Sequence, residues 1–304
     1  MYTAANWQLA GLAGHVAGDN LTKIQVDIEL FIAAMKRQNG QDYMPFSILL
    51  YHHARMLRDG LCALDAKSSN NIPTEEEARD YAHGFSPDFS IVNKIFQLIR
   101  AYLIHQLNNV SLDSIDISSD ISKNTLQLRP DLLFGLYFEG LASFYLARQT
   151  RDTEGKVKLI EKGDNVLTKL KYWSEHSSWN WESKVVLLEA EKMYTFGNFD
   201  QASLFYERAI RVSREHKLIN DEAISSELAG TFFCQQLDDV KAEALLLHSV
   251  QSYKTWGALA VATRVETYIS NKYGTDSVQQ KPNSSVLEGI FAACNEDLSK
   301  KRKE

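Results

Sequence analysis

Proline and glycine are scarce, with 5 and 15 among 304 residues. Turn-rich β-sandwiches and barrels use far more of both, so the scarcity favours long helices joined by short polar turns. Cysteine is scarcer still. Cys62, Cys234 and Cys294 form an odd, widely spaced set, which fits reduced thiols in an intracellular compartment better than a disulfide framework. No run of 18 apolar residues occurs, so no transmembrane helix is expected. The first residues, Met1 to Trp7, lack the basic and apolar regions of a signal peptide. Positive charge is not in excess: 33 Lys+Arg against 39 Asp+Glu leave a net charge of −6, a poor basis for nucleic-acid binding. What the chain does have is apolar material, 44% of its residues, enough to bury a core along most of its length.

Nearly every segment reads with a helical period. Leu9, Leu12, Ala13 and Val16 share one face, and Leu21, Ile24, Ile28, Phe31, Ile32 and Met35 share another, with Gly18-Asp19-Asn20 as the turn between them. A third helix is expected from Tyr43 to Arg58, with Pro45 in its first turn. Thr74 with Glu77 has the spacing of a capping box. Another helix is expected from Pro87 to Leu107. Val110 to Arg129 reads as an irregular or short helical connection. After Pro130 the pattern sharpens into helices over 132–149, 156–175, 182–196, 199–216, 221–236, 239–255 and 258–273. Two organisational units follow: a helical-repeat domain over 1–274, with a subdivision near 110–130, and a polar tail over 275–304 holding a short helix at 285–298.

Self-similarity appears at forty residues. Ala190, Met193, Gly197, Phe199, Ala202, Tyr206 and Ala209 shift onto Gly230, Phe233, Leu237, Asp239, Ala242, Leu246 and Ser249, and size class survives at five of the seven positions. Small residues on facing helices let two axes approach closely, and large ones fill the groove between neighbouring hairpins. Each hairpin leaves an apolar face uncovered, so the units must stack. The spacing from Ala190 to Ala209 resembles the tetratricopeptide repeat, without its terminal proline. The resemblance implies an all-α, right-handed superhelix of antiparallel helix hairpins, a TPR-like α-solenoid. The longer period resembles repeats in the sensor arms of signal-transduction ATPases. Gly18-Asp19-Asn20-Leu21, Phe138-Glu139-Gly140-Leu141-Ala142, Lys171 to His176, Leu187-Leu188-Glu189-Ala190-Glu191, Glu227-Leu228-Ala229-Gly230 and Tyr253 to Ala258 are similar to phrases of the helical region in large signalling proteins. In those proteins a protein-kinase-like domain and an AAA/STAND-type ATPase precede a sensor histidine kinase.

Chemistry-bearing motifs are missing. There is no Walker A loop, no kinase signature, no C-x-x-C and no H-E-x-x-H. The adjacent His52 and His53 point about 100° apart on a helix and cannot chelate as a pair. No enzyme activity and no cofactor or metal are expected.

The resemblance to tetratricopeptide repeats implies that the first helix of each hairpin lines a concave partner groove. In one repeat that face carries Lys184, Leu187, Glu191, Tyr194 and Thr195, and in the next Ile224, Glu227, Thr231, Cys234 and Gln235. Repeats that clamp a peptide's terminal carboxylate carry Lys and Asn at the positions of Leu187 and Glu191, so such a clamp is not expected. A basic or helical partner segment fits better. The reading is a non-catalytic scaffold or sensor module in signalling, binding a protein or peptide partner such as a kinase or ATPase module. No nucleic acid and no membrane span are expected, and the location is cytoplasmic, or nuclear if Lys300-Lys301-Arg302-Lys303 serves as an address. The alternative is a regulatory module or ATPase arm with a small ligand at an aromatic corner of Trp173, Trp179 and Trp181. An enzyme of unrecognised type comes third.

Overall fold

A computed structural model describes residues 2–60, 72–82, 88–104, 117, 119, 130–279 and 281–292. The Val110–Arg129 connection falls almost wholly outside the described residues, as do Cys62, Cys294, His83, His105, the basic tail and everything past Ala292 in the expected tail helix. Among the described residues the fold is all-helical, with no strand.

Thirteen α-helices follow one another among the described residues. They are α1 (Tyr2–Ala17), α2 (Leu21–Arg37), α3 (Pro45–Asp59), α4 (Glu75–Tyr81), α5 (Asp88–Leu103), α6 (Pro130–Gln149), α7 (Thr153–His176), α8 (Ser178–Thr195), α9 (Phe199–Glu215), α10 (Ile219–Gln235), α11 (Asp239–Trp256), α12 (Leu259–Tyr273) and α13 (Ser284–Ala292). Their starts follow from polar caps. Thr74 forms the full capping box with Glu77, and Asp152, Asn198 and Asp238 each accept a bond from an otherwise orphaned N–H of the first turn.

The stops are more regular. Gly197, Lys217, Leu237 and Gly257 all have positive φ, 77°, 59°, 63° and 90°, and they recur every twenty residues. At each, the following N–H reaches back to the carbonyl five residues before it: Asn198 to Met193, Leu218 to Ser213, Asp238 to Phe233 and Ala258 to Tyr253, at 2.9, 2.9, 3.0 and 2.9 Å. This is one helix-terminating motif used four times in succession, and α1 and α2 end the same way at Gly18 and Asn39. It folds α8 to α12 into a run of antiparallel neighbours in which consecutive helices pack along their length. Close approach is built in: a Cβ on Gly230 would lie 2.7 Å from Leu246, and one on Gly140 3.0 Å from Leu188 and Val166.

The Trp-rich stretch is not a loop. Ser177 alone separates α7 from α8, closing the first helix and opening the second. The tail helix α13 docks on α9 and α11. It buries Ile290 and sets Phe291 4.0 Å beneath the Arg214 guanidinium.

The two ends of the array also meet. Asn20 Nδ2 donates to Thr255 O at 2.9 Å, and Asn220 Nδ2 to Val16 O at 3.2 Å. α3 packs against α12. In an open solenoid each repeat touches only its neighbours. Here the N-terminal helices lie against the C-terminal ones, and a single apolar core runs from Leu12 to Ile290.

Candidate functional site

A cavity of about 310 Å³ opens where α5, α6 and α8 to α12 converge. Helical spacing places its walls. On α10, Ile224, Glu227, Leu228, Thr231 and Gln235 follow one face, and on α6 Tyr145, Arg148 and Gln149 do the same. Five tyrosines contribute rings: Tyr102, Tyr145, Tyr194, Tyr206 and Tyr253.

Two carboxylates anchor the walls, each between an arginine and a tyrosine. Glu191 Oε2 accepts from Arg148 Nη2 at 2.6 Å, and Oε1 from the Tyr206 hydroxyl at 2.5 Å. Glu227 Oε2 accepts from Arg264 Nη2 and from the Tyr253 hydroxyl, both at 2.8 Å. Arg148 also donates to Thr195 Oγ1 at 3.0 Å and stacks 4.3 Å above the Tyr194 ring. Each triad ties three helices, α6–α8–α9 and α10–α11–α12. Burial opposes the Arg148 charge, but Glu191 and the neighbouring tyrosine oxygens more than offset it, and the guanidinium is held above its usual range. Burial, then Glu191, pushes the Tyr206 hydroxyl well up; burial, then Glu227, does so for Tyr253. These hydroxyls therefore stay protonated donors at neutral pH.

The Tyr102 hydroxyl is buried with no hydrogen-bond partner, on a side chain that lines the cavity. Desolvation, with Glu191 next, pushes its pKa well up. A buried hydroxyl without a partner costs roughly 1–3 kcal/mol.

Sequence-derived groove residues divide three ways. Glu191, Tyr194, Ile224, Glu227, Thr231 and Gln235 all line the cavity, and the Tyr194 hydroxyl donates to Gln235. Thr195 sits behind Arg148 as its acceptor. Lys184 and Leu187 do not face the groove: both are buried, 1% and 0% exposed. Lys184 Nζ pairs with Asp221 Oδ2 at 2.6 Å, and the Ser183 hydroxyl donates to the same oxygen at 2.7 Å. Cys234 lies apart, with its sulfur 3.1 Å from the Tyr268 hydroxyl and in contact with Lys272 Nζ. The expected draw on a basic segment weakens, because Glu191 and Glu227 already hold internal cations. Sequence reasoning missed Tyr102, Tyr145, Arg148 and Arg264. They come from helices outside the two repeats, and only the packing brings them in.

The tryptophans do not form a box. Trp173 and Trp181 pack together at 5.9 Å between centroids, with Trp181 buried. Trp179 is 55% exposed and stacks on His216 at 4.5 Å. None of the three lines the seven-helix cavity. Among the described residues, no three His, Cys, Asp or Glu side chains form a group able to hold a metal ion. No helix among them is long and apolar enough to cross a membrane.

No family model, curated protein or solved structure matches the chain.

Proposed function

We propose that this chain is a non-catalytic, TPR-like sensor module, a right-handed superhelix of helix hairpins whose concave face binds a small ligand in the seven-helix cavity. The observation that carries the reading is the unpartnered Tyr102 hydroxyl in a cavity whose charged groups are fixed in Arg–Glu–Tyr triads. Pre-ordered polar groups among apolar walls are the usual make-up of a ligand pocket, and about 310 Å³ is at the small end of that class. Because the walls belong to seven helices, occupancy is felt along the whole array, which suits a sensor arm in a signalling assembly.

A partner segment laid across the mouth is the second reading. Phe196 and Leu237 are 56% and 87% exposed, two residues beyond the hydrogen-bonded rim pair Tyr194 and Gln235.

The test is a thermal-shift screen of small metabolites against the wild type and Thr231→Trp, which fills the cavity from its own wall. Ligands that stabilise the wild type should lose their effect in the variant. Ligands whose effect survives the filling would contradict the assignment.

A further inference from the structure

The inventory of donors and acceptors in the cavity says what kind of group it takes, given that the cavity is a binding site. Both Glu191 oxygens are occupied, by Arg148 and by Tyr206. Glu227 Oε2 already accepts two donors. Incoming cations or N–H donors therefore meet carboxylates already engaged by the walls. Donors are in a different position. The Tyr102 hydroxyl has no acceptor. Arg148 spends Nη1 on Thr195 and the Glu191 carbonyl and one Nη2 hydrogen on the Glu191 carboxylate. A guanidinium has five N–H groups, so Arg148 keeps two, in a plane held by stacking over Tyr194. The rest of the lining combines the tyrosine rings and Leu103, Ile224 and Leu228 with the polar side chains of Gln149, Thr231 and Gln235. The rings and aliphatic side chains favour a flat apolar body.

We propose that the cavity binds a small free carboxylic acid with an aromatic body, its carboxylate received by the Arg148 guanidinium and the Tyr102 hydroxyl and its ring packed among the tyrosines. Charge-assisted bonds from a fixed guanidinium to a carboxylate are the strong kind. The receiving groups lie on α5 and α6, outside the two hairpins that carry the forty-residue repeat.

Three isosteres decide the class: phenylacetate, phenylacetamide and phenethylamine, titrated calorimetrically into the full chain. Phenylacetate should bind at least tenfold more tightly than either neutral or cationic counterpart. Arg148→Gln strands Glu191 in the interior and endangers the fold, so Tyr102→Phe is the deciding variant. It removes only an unpartnered hydroxyl, so the melting temperature of the free protein should hold or rise. Phenylacetate affinity should fall about tenfold, the share of a hydrogen bond to a charged group. Undiminished affinity in Tyr102→Phe overturns the proposal, as does equal binding of the three compounds or none by any. Preferred binding of the amine that Thr231→Trp abolishes overturns the carboxylate while leaving the cavity as the binding site. A C-terminally aromatic peptide that outcompetes phenylacetate tenfold would move the carboxylate from a free acid to a partner chain and so overturn the proposal.

Discussion

Charged and titratable residues inside this molecule have two fates, pairing or neutrality. Lys184 and Asp221 take the first, each 1% exposed and joined at 2.6 Å, with the Phe134, Tyr137 and Trp181 rings 5.7 to 5.8 Å from the ammonium. Removing one member of a buried pair leaves an uncompensated charge and costs about 3–5 kcal/mol, whereas an apolar replacement of both is far milder. Urea denaturation of Lys184→Met should show that loss, and adding Asp221→Leu should restore most of it. An equal or greater loss in the double variant would contradict the pairing. His15 and His53 take the second fate. Their rings lie 4.9 Å apart, walled by Phe96, Phe134 and Trp256, and none of the four ring nitrogens has a partner. Burial lowers His15 from 6.5 to about 4, and burial, then His15 and Arg100, lowers His53 well below 6.5. Between those values the unfolded chain binds more protons than the folded one, so stability is complete above the unfolded value near 6.5 and drains as pH falls toward 4. For His15 alone the loss is about 3 kcal/mol. Denaturation midpoints measured from pH 7 to pH 4 should fall less steeply in His15→Leu; an unchanged slope would show that the ring charges readily where it lies.

At the scale of elements, the turn that ends α8 to α11 sets the array. Two of its four left-handed positions carry side chains that disfavour that conformation. Leu237 at φ 63° is 87% exposed, so it has little packing to lose. Leu237→Gly should raise stability by about 0.5–1 kcal/mol. Gly257→Ala should do the reverse, since φ is 90° there and its Cβ would lie 3.3 Å from Leu21 N. Thermal unfolding of the pair gives both signs at once, and a destabilised Leu237→Gly would contradict the account. Much of this level was legible in the sequence. Hydrophobic periodicity placed the helices to within a few residues, although α6 and α10 are buried on nearly every side. The forty-residue shift is two helices long and aligned Gly197 with Leu237. The twenty-residue turn repeat was hidden because Lys217 and Leu237 look nothing like turn residues. The start of α8 was misplaced because tryptophans read as a corner where a single serine suffices.

Over the whole molecule, what the sequence could not reveal is closure. Asn20 with Thr255 and Asn220 with Val16 are contacts across more than two hundred residues, for which a helical period carries no signal. Gly18 makes them possible. Its φ is 84°, and a Cβ there would lie 2.6 Å from Asn220 Oδ1. Gly18→Ala should therefore loosen α1 and the start of α10 together, seen as faster amide exchange in both, with a stability loss of about 1–3 kcal/mol. Exchange confined to α1 would mean that the ends are not coupled. The cavity was only half legible for the same reason. Glu191, Tyr194, Glu227, Thr231 and Gln235 follow from repeat register, while Tyr102 and Arg148 arrive from helices that no repeat relates to them.

The central claim is that this seven-helix cavity is where the ligand sits. Ring-labelled tyrosine NMR tests it most directly, with resonances assigned by Tyr→Phe variants and phenylacetate as titrant. Saturable shifts confined to Tyr102, Tyr145, Tyr194, Tyr206 and Tyr253, with Tyr172 beside the tryptophans unmoved, are the predicted result. Saturable shifts at Tyr172 with the five cavity rings unmoved would contradict it.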